Sequence, residues 1–132
     1  MTKRSKLVIV EDQLVVLISK ITQQGRNFDL LTITEPPAAD YEEGGGKGVR
    51  KRTVVVMARQ QPGESPSSLI VQGLIDFLVS KHKVAVQLRE KLIFKIFPMM
   101  NPDGVFLGNY KGSLFGEEFS SSWTLLLLGG RD

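Results

Sequence analysis

Apolar residues in this chain come in short bursts, and the bursts differ in period. Between Glu11 and Gln24, Val15, Ile18 and Ile21 recur at three-residue spacing, with Leu14, Val16 and Leu17 widening the face. That spacing predicts a helix over 11–24, stopped by Gly25. Asp29 to Thr34 has the β-branched alternation of a strand. Glu35 to Gly48 holds two prolines, four glycines and four acidic residues, which predicts a loop. Thr53 to Ala58, with three valines in a row, predicts a buried strand with no polar face. A polar turn, Gln60 to Glu64, leads to Ser65 as a helix cap and Pro66 as the first helical residue. The helix is expected to run to about Ser80 and to bury Leu69, Ile70, Gly73, Leu74, Phe77 and Leu78 on one stripe. A further helical stretch over 84–90 precedes the strand Leu92–Phe97, which Pro98 ends.

Strand, helix and strand at this spacing form a βαβ unit, with the two strands as parallel neighbours joined right-handedly. The fold class is therefore α/β. Asn101-Pro102-Asp103-Gly104 turns the chain at the end of the second strand. Open α/β sheets bind ligands at the carboxyl ends of their strands. Both polar turns, 60–64 and 101–104, fall at that edge, so the pattern alone locates a candidate site.

Composition narrows the classes. The 132 residues are 42% hydrophobic and 23% charged, as expected of one domain or part of one. No apolar run approaches the roughly 20 residues that span a bilayer. Glu11 and Asp12 interrupt the apolar stretch behind the basic N-terminus, so neither a membrane span nor a secretory signal is expected. The absence of cysteine removes disulfides and thiolate metal ligands and fits a cytoplasmic location. Net charge is only +3, and Lys47, Arg50, Lys51 and Arg52 read as a solvated loop. No basic stripe with interleaved aromatics suggests nucleic acid. Gly44 to Gly48 fails as a phosphate loop, because Tyr41 stands where the first Gly belongs and Gly48 replaces the magnesium-binding Ser or Thr. His82 reads as a solvated cap near the end of the long helix, and Asp103 as a turn former. Arg59 suits a substrate-facing charge and a strand-end surface residue equally well.

Three segments together resemble a known family. Arg59-Gln-Gln-Pro-Gly-Glu-Ser65 is similar to the Arg-x-His-Pro-Gly-Glu-Ser/Thr segment of cytosolic carboxypeptidases, the tubulin-deglutamylating branch of the carboxypeptidase A-like metallopeptidases. Phe94 to Val105 resembles their strand ending in Pro-Met-x-Asn-Pro-Asp-Gly-Val. Gly108-Asn-Tyr-Lys-Gly-Ser-Leu-x-Gly116 resembles their Gly-Asn-Tyr-Arg-x-Ser-Leu-x-Gly. Matching is good over 28–34 and 53–116, and three motifs in order at family spacing are far more specific than one.

The resemblance implies a partial carboxypeptidase-like mixed sheet with flanking helices. It also implies a zinc held by a His and a Glu of the first turn and by a second, distant His, with one position open for water. A general-base Glu, an oxyanion-stabilising Arg and an Asn-Arg pair gripping the substrate carboxylate complete the family's site. At these positions the chain carries Glu64 as the acidic ligand but Gln61 in place of the His. Lys111 stands at the oxyanion Arg position, keeping the charge without the planar fork. Ser120 and Ser121 stand where Asn and Arg belong, and positions for the second His and the general base would lie after Asp132.

The expected organisation is a helical lead-in over 1–27, the front of a carboxypeptidase domain over 28–116 with a 35–50 loop insertion, and an unrelated tail over 117–132. The abrupt change after Gly116 suits a frameshift or missed splice site, with a genuine divergent truncation as the alternative. The expected function is an incomplete or degenerate zinc metallocarboxypeptidase. Its parent removes C-terminal residues, glutamate foremost, from tails such as tubulin's. The alternative is a non-catalytic domain that binds acidic peptide tails through Lys111, Arg59 and the basic loop. Zinc retention by this chain is not expected.

Overall fold

The computed structural model describes residues 4–10, 13–35, 51–113 and 116. The elements are β1 (Arg4–Val10), β2 (Gln13–Ile21), β3 (Asn27–Thr34), β4 (Arg52–Met57), α1 (Ser65–Leu78), α2 (Lys83–Lys91), β5 (Leu92–Phe97) and α3 (Pro102–Phe106). The five strands form one sheet in the order β1-β2-β3-β5-β4. All neighbours are antiparallel except β4 and β5, the parallel pair that the βαβ reading expected.

The helix expected over 11–24 is instead the strand β2. Its run Val15-Val-Leu-Ile18 is apolar on both sides of the chain, so the three-residue spacing within it carries no helical information. β-branched side chains favour the pleated conformation, and pairing with both β1 and β3 satisfies the backbone. The lead-in is thus part of the sheet. Gly25 does end the element, at φ 78°, in the Thr22–Arg26 hairpin turn rather than at a helix terminus. The loop expected over 35–48 and the tail over 117–132 lie outside the described residues, apart from Glu35.

Register explains the core. Val15 lies opposite Ile33, Ile33 opposite Phe94 and Phe94 opposite Val54. A second row runs Leu31, Ile96, Val56. Since side chains alternate along a strand, both rows face one side of the sheet. There α1 and α2 cover them with Val71, Leu74, Ile75, Leu78 and Leu88, and Ile33, Leu78 and Ile96 are fully buried.

α1 buries Leu74 and Leu78 as expected, but with Val71 and Ile75 rather than the other four residues of the expected stripe. Leu69 and Ile70 are 72% and 71% exposed, and Gly73 and Phe77 also face away from the core. Apolar residues extend well beyond one face of the helix, leaving Ser68, Gln72 and Asp76 as the polar strip, so periodicity admitted more than one buried face. β4 also differs from expectation. Val54 and Val56 meet the core, but Val55 and Met57 lie on the uncovered side, and β4 pairs only with β5 among the described residues. Such an edge favours association with other strands.

Charged groups pin the layers. Arg89, 2% exposed, reaches from α2 to the carbonyls of Leu78 and Ser80 and forms an ion pair with Glu35 at 2.8 Å. Lys51, expected in a solvated loop, is half-buried. Its three ammonium protons go to Thr34 Oγ1, the Glu35 carbonyl and the Arg89 carbonyl. Replacing Arg89 with Met strands the buried Leu78 carbonyl, the part-buried Ser80 carbonyl and a carboxylate. It should lower stability by about 3 kcal/mol, read as a fall in urea midpoint at unchanged slope.

Candidate functional site

The site begins where β4 and β5 end together. Beyond the strands, Ala58 donates to the Phe97 carbonyl at 2.9 Å, Met100 to the Ala58 carbonyl at 2.9 Å and Asn101 to the Arg59 carbonyl at 3.2 Å. Parallel pairing thus continues into the polar segments and carries the 60–64 and 101–104 turns to the same edge, as the sequence pattern expected.

Arg59 has φ 54°, a left-handed conformation that costs a non-glycine residue about 1–2 kcal/mol. Its own bonds hold it there. Nε donates to the Pro62 carbonyl at 2.9 Å, Nη1 to Ser68 Oγ at 3.2 Å, and the backbone amide to Ser67 Oγ at 3.1 Å. Arg59 thus stands at the end of β4, half-buried, with Nε and Nη1 turned back onto the turn it precedes.

Within that turn Glu64 donates its amide to the Gln61 carbonyl at 3.0 Å, and the Gln61 amide donates to Glu64 Oε2 at 3.3 Å. The structure therefore brings Gln61 and Glu64 together, with Glu64 exposed and Gln61 half-buried. α1 opens one residue earlier than expected: Glu64 is the cap, Ser65 the first helical residue and Pro66 the second.

Asn101-Pro102-Asp103-Gly104 is more than a turn. It opens the short helix α3, with Asn101 as the cap. Asn101 is 3% exposed; its Oδ1 accepts from the Gly104 amide at 2.9 Å, and its Nδ2 donates to the Gly112 carbonyl at 3.3 Å. Asn109 Nδ2 adds bonds to the carbonyls of Gly112 and Ser113. These fix the 108–113 loop, and the Gly63 amide closes it onto the first turn by donating to the Tyr110 carbonyl at 2.9 Å. The approach is close enough to require glycine on both sides. A Cβ on Gly63 would lie 2.7 Å from Tyr110 Cδ2, and one on Gly104 would lie 2.6 Å from Pro62 Cγ.

Lys111 is exposed on this loop, between Tyr110, bonded to the first turn, and Gly112, bonded to Asn101. An open pocket of about 440 Å³ is lined by Leu107, Asn109, Tyr110, Gly112, Ser113 and Gly116. Ser120 and Ser121 lie outside the described residues.

His82 is not a cap on α1. It caps the N-terminus of α2, its Nδ1 accepting from the Val84 amide at 3.3 Å. The whole of α1, about 20 Å at 1.5 Å per residue, separates it in the chain from the cap at Glu64. Among the described residues no three His, Cys, Asp or Glu side chains gather in a way that could hold a metal. The donors at the first turn are one carboxylate and one neutral amide, where the resemblance implies a carboxylate and an imidazole, so the turn does not fit its share of a catalytic zinc's ligands.

Sequence reasoning missed Asn101, and the signal was present. Asn followed by Pro, Asp and Gly reads as a cap, a first helical residue and an acid in the first turn. It also missed the bond from Asp103 to Arg26, 77 residues away, for which the sequence holds no signal.

Comparison with known proteins agrees with this geometry. Residues 10–118 match the zinc carboxypeptidase family. Mouse cytosolic carboxypeptidase 6 is 51% identical over 100 residues, 76% of this chain and 17% of that protein. The Caenorhabditis elegans cytosolic carboxypeptidase 6 is 48% identical over 102 residues, 77% of this chain and 21% of that protein. The chain thus spans about a fifth of the length of these relatives. Among solved structures, a metallo-carboxypeptidase from Burkholderia cenocepacia superposes with a TM-score of 0.70 at 31% identity, covering 83% of this chain and 28% of that one. A Pseudomonas aeruginosa metallo-carboxypeptidase, solved with (2-guanidinoethylmercapto)succinic acid, gives 0.66 at 29% identity, covering 80% and 26%. The two interlocked turns, the mixed α/β sheet beneath them and these matches place the chain in the zinc carboxypeptidase family.

Proposed function

We propose that this chain is a non-catalytic member of the cytosolic carboxypeptidase branch. Its lineage removes C-terminal residues, glutamate foremost, from acidic protein tails such as tubulin's. The observation that supports loss of catalysis is that Gln61, and not an imidazole, shares the first turn with Glu64. A carboxamide is neutral and a weak donor to zinc, whereas imidazole is among the metal's ordinary ligands. Lys111 at the arginine position retains a charge but offers no two-pronged donor to a developing oxyanion. Ser120 and Ser121 offer hydroxyl donors to a carboxylate but not the cationic, two-pronged fork of the family's Arg.

A second role is favoured by one feature, the exposed Lys111 beside the open pocket. There the chain would hold acidic peptide tails without cutting them. Of the basic loop, Lys51 gives its three ammonium protons to the protein itself, while Arg59 gives three of its five guanidinium protons and keeps donors for a peptide. A cytoplasmic location accords with such partners, and no helix among the described residues is long and apolar enough to cross a membrane.

Two outcomes test these readings. Incubated with zinc and a peptide ending in three glutamates, the full chain should release no free glutamate above the buffer rate; steady release overturns the loss of catalysis. The same labelled peptide should bind with an affinity that falls several-fold from about 20 to 200 mM salt, and Lys111→Ala should weaken it further. No binding at low salt removes the peptide-holding role.

A further inference from the structure

The hairpin turn between β2 and β3 lies far from the motifs in sequence, yet the topology delivers it to the site. β3 runs antiparallel to β5, so its beginning sits at the carboxyl end of β5, where Phe28 and Phe97 stack with ring centres 5.6 Å apart. The turn is rigid in itself. Thr22 donates its amide to the Arg26 carbonyl at 2.8 Å, and the Arg26 amide donates to Thr22 Oγ1 at 3.1 Å.

From this turn two side chains converge on one carboxylate oxygen. Thr22 Oγ1 donates to Asp103 Oδ1 at 2.8 Å, and Arg26 Nη1 donates to the same oxygen at 3.0 Å. Asp103 is 9% exposed, so the partners matter: a buried carboxylate left without them carries a full desolvation cost. The Arg26 guanidinium also lies 3.6 Å over the Phe106 ring, a cation–π contact that grips α3 at its other end.

We infer that Arg26 is a positioning residue for the candidate site, acting through Asp103. With Asp103 and Phe106 both held, α3 is fixed in position and rotation. Gly104 beside Asp103 then donates to Asn101 Oδ1 and accepts from the Asn109 amide at 3.0 Å. From Asn109 the chain runs directly to Tyr110, whose carbonyl receives Gly63, and to Lys111. The hairpin turn thus sets the placement of the loop that carries Lys111. This role is independent of whether the site holds peptide, metal or neither.

Amide hydrogen exchange on the full chain tests it. In Arg26→Ala, exchange at Gly63, Gly104 and Asn109 should rise at least tenfold, while exchange at Val56 and Ile96 in the sheet stays within about twofold. Arg26→Lys, which preserves a cation for Asp103, should restore most of the protection. Thr22→Val, a milder change with the same target, should raise exchange at the same three amides by a smaller factor. Two results overturn the inference. One is a uniform rise in loop and sheet, whether partial or by unfolding, in both Arg26→Ala and Thr22→Val, which reports stability alone. The other is loop exchange that stays at the wild-type rate.

Discussion

The Asn101 carboxamide is buried at the point where two strands run out of sheet, and its polar atoms must find partners there. The partners come from both directions along the chain. Oδ1 takes the Gly104 amide, which opens α3, and Nδ2 takes the Gly112 carbonyl, which folds the 108–113 loop back over it. The backbone amide reaches across to Arg59 at the end of the neighbouring strand. A single residue therefore joins both polar turns and the loop bearing Lys111. It could do so only because parallel pairing of β4 with β5 had already brought the strand ends together.

Around that point the local costs are offset by contacts that reach only a few residues. The left-handed backbone of Arg59 is held by its own side chain and by the serines of the first turn of α1. Gly63 and Gly104 let the two segments touch where any side chain would collide. Little of this scaffold depends on which donor stands at position 61. The family's architecture is therefore compatible with Gln61, because the groups that shape the site differ from the groups that would work in it.

The βαβ unit was legible because its signals are local and strong: a valine run, a Ser-Pro helix start and a proline-stopped strand. The three motifs carried the family for the same reason. β2 was misread because an apolar run on both sides of the chain fits either period, and only the flanking strands decide between them. The buried face of α1 was only partly assigned, through Leu74 and Leu78, for a related reason. Leu69, Ile70 and Phe77 are as apolar as Val71, Leu74 and Leu78, so the choice between them rests on where β4 and β5 lie. Arg26 with Asp103, and Lys51 with Arg89, were invisible because each joins segments distant in sequence through side chains that look like ordinary surface charge.

The scaffold of a zinc carboxypeptidase is present here, and the proposal that its first turn makes no zinc centre rests on Gln61. The measurement that bears on this most directly is metal content of the purified chain after zinc loading and dialysis. Gln61 and Glu64 together should leave well under one zinc per chain, since one carboxylate and one neutral amide give too few strong ligands. One zinc retained per chain, removed only by a chelator, would contradict the account and return catalysis to the candidate site.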